Sequence, residues 1–464
     1  MADSEQIIAG LQALMDEGRV KTDADSLQHY GCDWTKMYTP QPLAIVFPKT
    51  TEQVQALVKF ANEHNVALVP SGGRTGLSAA AVAANGEVVV AFDAMNKIVE
   101  FNAIDRLVKC QPGVVTEQLQ QFAEGNGLFY PVDFASAGSS QLGGNISTNA
   151  GGIKVIRYGM TRDWVAGLKV VTGKGDLLEL NKDLIKNATG YDFRHLFIGA
   201  EGTLGLIVEA TMKLARSPKN LNVLVLGVPE FSAIMDVLST FQRTIDLTAF
   251  EFFSERSVQL VTARGDVPRP FETEAPYYAL IEFETPNEDV LNEAMALFEE
   301  CVEKGYVLDG VMSQSVAQLK SLWRLREDIS ETISEFTPYK NDISVVVSKV
   351  PDFLNEIDAI VTEHYPDFEI IWFGHIGDGN LHLNILKPAA MPKEEFFDRC
   401  KQVNTWVFET VQKYNGSVSA EHGVGMTKKD YLHYTRSAEE IAYMKAMKNL
   451  FDPNGIMNPG KVID

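Results

Sequence analysis

The chain is poor in cysteine. Four are scattered over 464 residues (Cys32, Cys110, Cys301 and Cys400), with no Cys-x-x-Cys. This excludes a disulfide framework and fits a reducing compartment, the cytoplasm. Long apolar runs are missing too. None reaches about 18 residues, so no membrane span is expected. The opening Met-Ala-Asp-Ser-Glu-Gln has no basic stretch followed by an apolar one, so it carries no secretory signal pattern. Positive charge is short: 41 basic residues face 62 acidic ones, a formal charge of −21. That argues against nucleic acid and against an anionic membrane surface as partners. An anionic substrate stays open, because a local cationic pocket can oppose the global field. Hydrophobic residues, at 45%, are in ordinary supply, and the length allows two or three domains.

Glycine, by contrast, is plentiful beside residues that carry chemistry. In Ile371-Trp-Phe-Gly-His-Ile-Gly-Asp-Gly-Asn-Leu-His-Leu-Asn384 two apolar runs flank Gly377-Asp-Gly-Asn380. An Asp-Gly centre between strand-like runs predicts a two-residue hairpin turn, because both central positions need positive φ. Counting outward sets Ile376 against Leu381 and His375 against His382. Opposed residues share a face with Cβ atoms roughly 4.5–5.5 Å apart, so the two imidazoles can reach one divalent ion. Asn384, two residues past His382, projects from the same face. The plain alternative is two histidines packed together in a sheet.

A third ligand has to come from elsewhere, and Ser419-Ala-Glu-His-Gly-Val-Gly425 offers one. Glu421 supplies a carboxylate and His422 a base. The glycines at 423 and 425 suggest a turn able to bring both to one site. Two histidines and a carboxylate leave coordination positions open, the pattern of a catalytic metal site. The donor set favours Zn²⁺, with Co²⁺, Mn²⁺ or Fe²⁺ as alternatives.

The first half has another texture. Residues 4–17 show helical spacing, 44–47 a strand, and 66–70 another strand. Thr50 with Gln53 opens a helix between the strands, which makes a compact βαβ unit. Residues 88–92 and 107–110 read as strands, and a helix starts near Thr116. Among these elements lie Pro70-Ser-Gly-Gly-Arg-Thr-Gly-Leu-Ser78, a run of small and hydroxyl residues from Phe134 to Gly152, Tyr158-Gly159, and Gly199-Ala-Glu-Gly-Thr-Leu-Gly205. The first is neither a P-loop nor a dinucleotide fingerprint. Its glycines let backbone N–H groups approach a phosphate, and Arg74 adds charge. A disordered linker is also rich in glycine and serine, but Leu142, Ile146 and the flanking strands favour a folded loop. The recurrence of such loops through 70–205 implies one large, flat ligand with several phosphates.

Together, Ser71-Gly-Gly-Arg-Thr-Gly76, Gln111-Pro-Gly113, Gly143-Gly-Asn-Ile-Ser-Thr-Asn-Ala-Gly-Gly152, Asn187-Ala-Thr-Gly-Tyr-Asp192 and Gly202-Thr-Leu-Gly205 resemble the FAD domain of the vanillyl-alcohol oxidase / p-cresol methylhydroxylase superfamily. His375-Ile-Gly-Asp-Gly-Asn-Leu-His382, Glu421-His-Gly-Val-Gly425 and Asn458-Pro-Gly-Lys461 resemble its D-2-hydroxyacid dehydrogenase branch, the D-lactate, glycolate and D-2-hydroxyglutarate enzymes. The resemblance covers essentially the whole chain. It implies an α+β fold with a two-subdomain FAD-binding domain of the vanillyl-alcohol oxidase type at 1–217. A substrate- and metal-binding α+β cap with an antiparallel sheet follows at 218–420, and a C-terminal segment, 421–464, returns to the FAD domain.

The resemblance also implies which residues hold FAD. They are Ser71, Gly72, Gly73, Arg74, Thr75, Gly76 and Leu77; Pro112, Gly113 and Val114; Ser136, Gly138 and Ser139; Gly143, Gly144, Asn145, Ser147, Thr148, Asn149, Ala150 and Gly152; and Tyr158, Gly202, Gly205, Ile207 and Asn458. No histidine stands in the 71–78 loop, where some relatives tether their flavin, so non-covalent FAD is expected. Arg326, Ser330 and Lys340 match the positions that hold substrate carboxylate in the D-2-hydroxyglutarate enzymes, where the middle position is usually Thr. By spacing alone, Ser330 follows Arg326 at i+4 on one helix face, and Lys340 comes after Pro338 has ended the helix.

The resulting expectation is a metal-assisted, FAD-dependent oxidation of a D-2-hydroxy acid, D-2-hydroxyglutarate first and D-malate second. Arg326, Ser330 and Lys340 supply more donors than a monocarboxylate can occupy. The metal sits on His375, His382 and Glu421, His422 accepts the hydroxyl proton, and Asn384 orients the substrate. A D-lactate or glycolate enzyme is the nearest alternative. A metallohydrolase would explain the His/His/Glu set but not the glycine-rich loops. A non-catalytic flavin or nucleotide module leaves Glu421-His422 without purpose. The electron acceptor, such as electron-transfer flavoprotein, quinone or cytochrome, stays open.

Overall fold

The computed structural model describes residues 4–463; the acidic opening at 1–3 lies outside them. Two units emerge. The first takes the chain up to Gly151, Met160–Ser217 and everything from Glu421 onward. The second takes Gly152–Gly159 and Pro218–Ala420. Residues 152–159, and with them Gly152 and Tyr158, thus depart from the expected 1–217 segment and belong with the second unit.

In the first unit, Thr50 caps the helix Thr51–His64, its hydroxyl accepting the Gln53 N–H at 3.2 Å. Val54, Leu57, Val58 and Ala61 form the buried stripe of that helix, as a period of 3.6 residues requires. Strands Ala44–Val46 and Leu68–Ser71 do not pair with each other. Val88–Ala91 lies between them, parallel to both. Only non-local packing decides which strand fills that gap. A five-stranded antiparallel sheet follows, in the order Ile98–Asn102, Leu107–Cys110, Gly205–Lys213, Val165–Thr172, Leu177–Leu180. The glycine- and serine-rich run is no simple loop. It contains the helix Leu142–Thr148, which buries Leu142 and Ile146, four residues apart, in the core over this sheet. The C-terminal tail bonds to Leu68 on both sides, through Ile456 O and the Asn458 N–H, each at 2.8 Å.

The second unit is built on a seven-stranded antiparallel sheet. Its order is Asp309–Met312, Leu221–Val228, Tyr277–Glu284, Leu247–Ser254, Glu369–Gly374, Asn380–Leu386, Tyr339–Ser344. The hairpin register expected at its centre is corrected by two residues. Phe373, not His375, opposes His382. The chain leaves the strand at Gly374 and makes a 3-10 turn, Ile376–Asp378, closed by Gly379 at φ 85°. A Cβ on Gly379 would stand 2.0 Å from Val345 O, so this longer turn requires glycine there. A slip of two keeps every side chain on its original face, whereas a slip of one would have inverted them all.

Candidate active site

Strand order brings distant segments of the second unit to one sheet face. Opposed residues share a face. Lys340, Asn384 and Ile371 form one row; Asp342, His382, Phe373 and Phe253 form the next. Glu251, two residues before Phe253, points the same way. Its ladder partner Leu280 puts Glu282 there as well.

The helix Val316–Glu327 packs its buried side against this face. Trp323 and Arg326, three residues apart, lie on one side of it. Each meets a buried carboxylate. Trp323 Nε1 donates to Glu282 Oε2 at 2.9 Å. Arg326 Nε lies 2.8 Å from Glu251 Oε2, with the guanidinium 4.6 Å over the Phe373 ring. Lys154 also pairs with Glu282, and Thr248 Oγ1 donates to it at 2.6 Å. Burying these carboxylates without partners would be costly, and the partners supply what water would have supplied.

Glu251 has a second partner. Its Oε1 lies 2.8 Å from His375 Nδ1. A carboxylate only accepts, so the proton is assigned to Nδ1, and Nε2 becomes the atom a metal would take. The His375 and His382 ring centres are 5.3 Å apart at 83°. His382 Nδ1 is 3.7 Å from Asp342 Oδ1, and Asp342 in turn accepts from Asn380 Nδ2 at 2.9 Å. Two imidazoles side by side, one backed by a carboxylate, fit a divalent cation. Neither Glu251 nor Asp342 was expected from the sequence. The available signal was a lone carboxylate beside apolar residues in each of two segments, Ala249-Phe-Glu-Phe-Phe253 and Asp342-Ile-Ser-Val-Val346.

The expected carboxylate-binding residues are distributed unevenly. Arg326 is buried and already charge-paired. The single helix face expected for Arg326 and Ser330 is interrupted. One helix ends at Glu327, and a short one, Ile329–Ser334, follows across Asp328. Lys340 stands on the strand at the sheet's end and keeps solvent access. Even so, the protein around it displaces enough water to pull its ammonium below the ordinary lysine value. Asn384 is buried and its amide donates to Ile371 O at 3.4 Å and His382 O at 3.2 Å. The segment leaving the unit bonds to the Tyr339–Ser344 strand, Ser417 to Ser344 and the Ala420 N–H to Asp342 O at 3.2 Å. Glu421 and His422 are the next two residues of the chain.

In the first unit the glycine-rich loops meet one another. The Gly143 N–H bonds to Pro112 O and the Leu142 N–H to Val114 O, each at 2.8 Å. Asn145 Nδ2 donates to Thr116 Oγ1 at 2.5 Å. Asn458 Nδ2 donates to Ala80 O at 3.0 Å and Glu201 O at 2.7 Å. Gly73 is packed so closely on Ser139 that a Cβ would stand 2.1 Å from its carbonyl. Around this cluster the Ser71 and Ser78 hydroxyls and Gln141 Oε1 are buried without a hydrogen bond among the described residues. Such orphans are rare unless a ligand or water completes them. A Cβ on Gly144 would meet no atom within 4 Å, so packing among the described residues does not demand glycine there. These features fit a flavin dinucleotide. Arg74 is partly occupied, 4.5 Å over Tyr30 and 3.7 Å from Asp93. Ile207 and Val114 lie in the hydrophobic core. Ser78 and Gln141 were not singled out from the sequence.

Comparison with known proteins bears on both units. Residues 42–181 match the model of an FAD binding domain, and residues 217–462 match that of the C-terminal domain of FAD-linked oxidases. D-2-hydroxyglutarate dehydrogenase of Stutzerimonas stutzeri is 74% identical over 456 residues, 98% of each chain. The mitochondrial D-2-hydroxyglutarate dehydrogenase of Danio rerio is 36% identical over 96% of this chain and 83% of its own. Among solved structures, p-cresol methylhydroxylase with substrate bound superposes with a TM-score of 0.77 at 15% identity, covering 99% of this chain and 97% of that one. This likeness establishes the vanillyl-alcohol oxidase type of fold.

Proposed function

The chain belongs to the FAD-linked oxidases, in the D-2-hydroxyglutarate dehydrogenase family, and we propose that it oxidises D-2-hydroxyglutarate to 2-oxoglutarate, with D-malate as a second substrate. The observation that carries this reading is identity of 74% across 98% of both chains with a D-2-hydroxyglutarate dehydrogenase. FAD is held non-covalently by the loops of the first unit, and a divalent cation, Zn²⁺ first and Co²⁺ or Mn²⁺ next, by His375, His382 and Glu421. Four free cysteines fit a cytoplasmic location. No helix among the described residues is long and apolar enough to cross a membrane. The electrons pass on to an acceptor such as electron-transfer flavoprotein or quinone.

Bound flavin supplies the hydride acceptor, and a bound cation the Lewis acidity that stabilises a developing alkoxide. The chain's own residues do the rest. His422 accepts the hydroxyl proton, a task suited to an imidazole. Glu251 holds the His375 ring and shares the Arg326 charge, so Arg326 arrives pre-oriented for a carboxylate. Lys340 takes the distal carboxylate, with Ser330 and Asn384 orienting the substrate between. A substrate panel with an artificial electron acceptor tests the reading. D-2-Hydroxyglutarate should exceed D-lactate in kcat/KM by at least about 10²-fold, the value of one or two charged hydrogen bonds. Preference for D-lactate or glycolate would overturn it. Acid precipitation should release the flavin into the supernatant; a yellow pellet would contradict non-covalent binding.

A further inference from the structure

We propose that Glu201 is the positioning residue for the loop that carries His422; the proposal rests on the reading of His422 as proton acceptor. Glu201 is buried, and both its carboxylate oxygens accept backbone N–H groups of that loop. Oε1 accepts from Val424 at 2.7 Å and Oε2 from Gly425 at 2.8 Å. When the carboxylate is ionised these bonds are charge-assisted, among the strongest available to a loop. The backbone of Glu201 is itself pinned, its N–H to Ser147 O at 2.8 Å and its carbonyl by Asn458 Nδ2 at 2.7 Å.

Three further observations say that the carboxylate is needed here. Glu201 sits at φ 49°, between Gly199 and Gly202. That left-handed conformation favours glycine, yet the chain keeps a glutamate in it. Burial pushes the carboxyl up to about 7, against the Val424 and Gly425 N–H groups and Lys428, which pull it down. An amide or apolar side chain would escape that desolvation, but neither offers two acceptor oxygens to two N–H groups. The loop also comes so close that a Cβ on Gly423 would stand 2.8 Å from Glu201 Oε1. Its other side is fixed independently, because Met426 N–H bonds to Ser78 O at 2.9 Å and Gly425 O accepts from Val462 N–H at 3.0 Å. Glu201 thus secures the two amides that lie two and three residues beyond His422.

The test is a double-mutant cycle read by anaerobic stopped-flow reduction of the bound flavin with D-2-hydroxyglutarate. Glu201→Gln should slow reduction by about 10²-fold, the usual cost of a small misplacement of a catalytic group. Inhibition by 2-oxoglutarate should change less than about threefold, since no substrate contact is removed. In the His422→Ala background, Glu201→Gln should slow reduction no further. Additive slowing, or an unchanged rate in the single variant, would overturn the proposal. Should His422→Ala itself leave reduction unchanged, the proton-acceptor reading fails and the proposal with it. If Glu201→Gln comes without flavin, amide exchange on the wild-type holoenzyme decides. Val424 and Gly425 N–H protected by about 10²-fold or more relative to an open loop support the clamp; exchange at the open-loop rate overturns it.

Discussion

In the first unit, the Ser71 and Ser78 hydroxyls and Gln141 Oε1 are buried with no hydrogen bond among the described residues. In the second, Glu251 and Glu282 are 1% and 2% exposed and each meets several partners. The first unit lines its loops with glycine beside these orphaned atoms; in the second, Trp372 Nε1 and Asn380 Oδ1 are orphaned as well. The second unit assembles side-chain charges on a sheet face and balances them against one another. A long flavin is gripped mostly by backbone, so its site needs absence of side chains and many weak contacts. A small anionic substrate is gripped by a few charges, so its site needs those charges held still in low dielectric. Removing a charge from the second unit should therefore cost far more than adding a Cβ where the flavin loops leave room for one.

His375→Ala is expected to show the largest effect. Turnover should be lost along with bound metal, while flavin content and spectrum stay, because the flavin loops belong to the other unit. Chelation should do the same, with Zn²⁺ or Co²⁺ restoring activity. Metal analysis beside a flavin spectrum checks this, and full activity in metal-free protein would refute it. Glu251→Gln should come next. Metal affinity should fall about 10–100-fold through loss of the His375 backing. Stability should drop by about 3–5 kcal/mol, because Arg326 is left buried without its counter-charge. Metal titration and denaturant melts would reveal both; a variant as stable as wild type would show that the pair contributes nothing.

Lys340→Ala is a smaller change, at a residue that keeps solvent access. It should lower kcat/KM for D-2-hydroxyglutarate by about 10–100-fold, one charged hydrogen bond, with D-lactate little altered. The sign of its pH dependence follows from the depressed lysine. The ammonium holds the distal carboxylate only while protonated, so dicarboxylate KM should rise with pH, and do so below the ordinary lysine value of 10.5. D-Lactate KM should stay flat over the same range. Gly144→Ala is expected to be smallest in stability. The new Cβ meets no atom within 4 Å, and a helical alanine is favoured over glycine by about 1 kcal/mol. The melting temperature without flavin should hold or rise while flavin occupancy falls. Gly113→Ala is the contrast: its Cβ would stand 2.1 Å from Phe92 O, so folding itself should suffer.

Much of this was readable along the chain because it is local. Thr50 with Gln53 gave its helix, and Leu142 with Ile146 hinted at order inside a glycine-rich run. The expected opposition of His375 and His382 did not hold, but their rings still lie 5.3 Å apart, because the slip was by two and strand parity was kept. Motif resemblance pointed to the vanillyl-alcohol oxidase fold, and the glycine-rich stretches marked the candidate flavin loops, since glycine alone tolerates such close approach.

What tertiary structure alone decided is which strand lies beside which. Glu251 is 124 residues from His375 and touches it only because Leu247–Ser254 pairs with Glu369–Gly374. Val88–Ala91 enters between two strands that looked like neighbours. Arg326 finds Glu251 because a helix lands on that face with a particular phase, and its helix breaks at Asp328 before reaching Ser330. Periodicity records which way a side chain points. It holds no record of what stands opposite, since that is set by the packing of segments a hundred residues apart and by the need of buried charges to find each other.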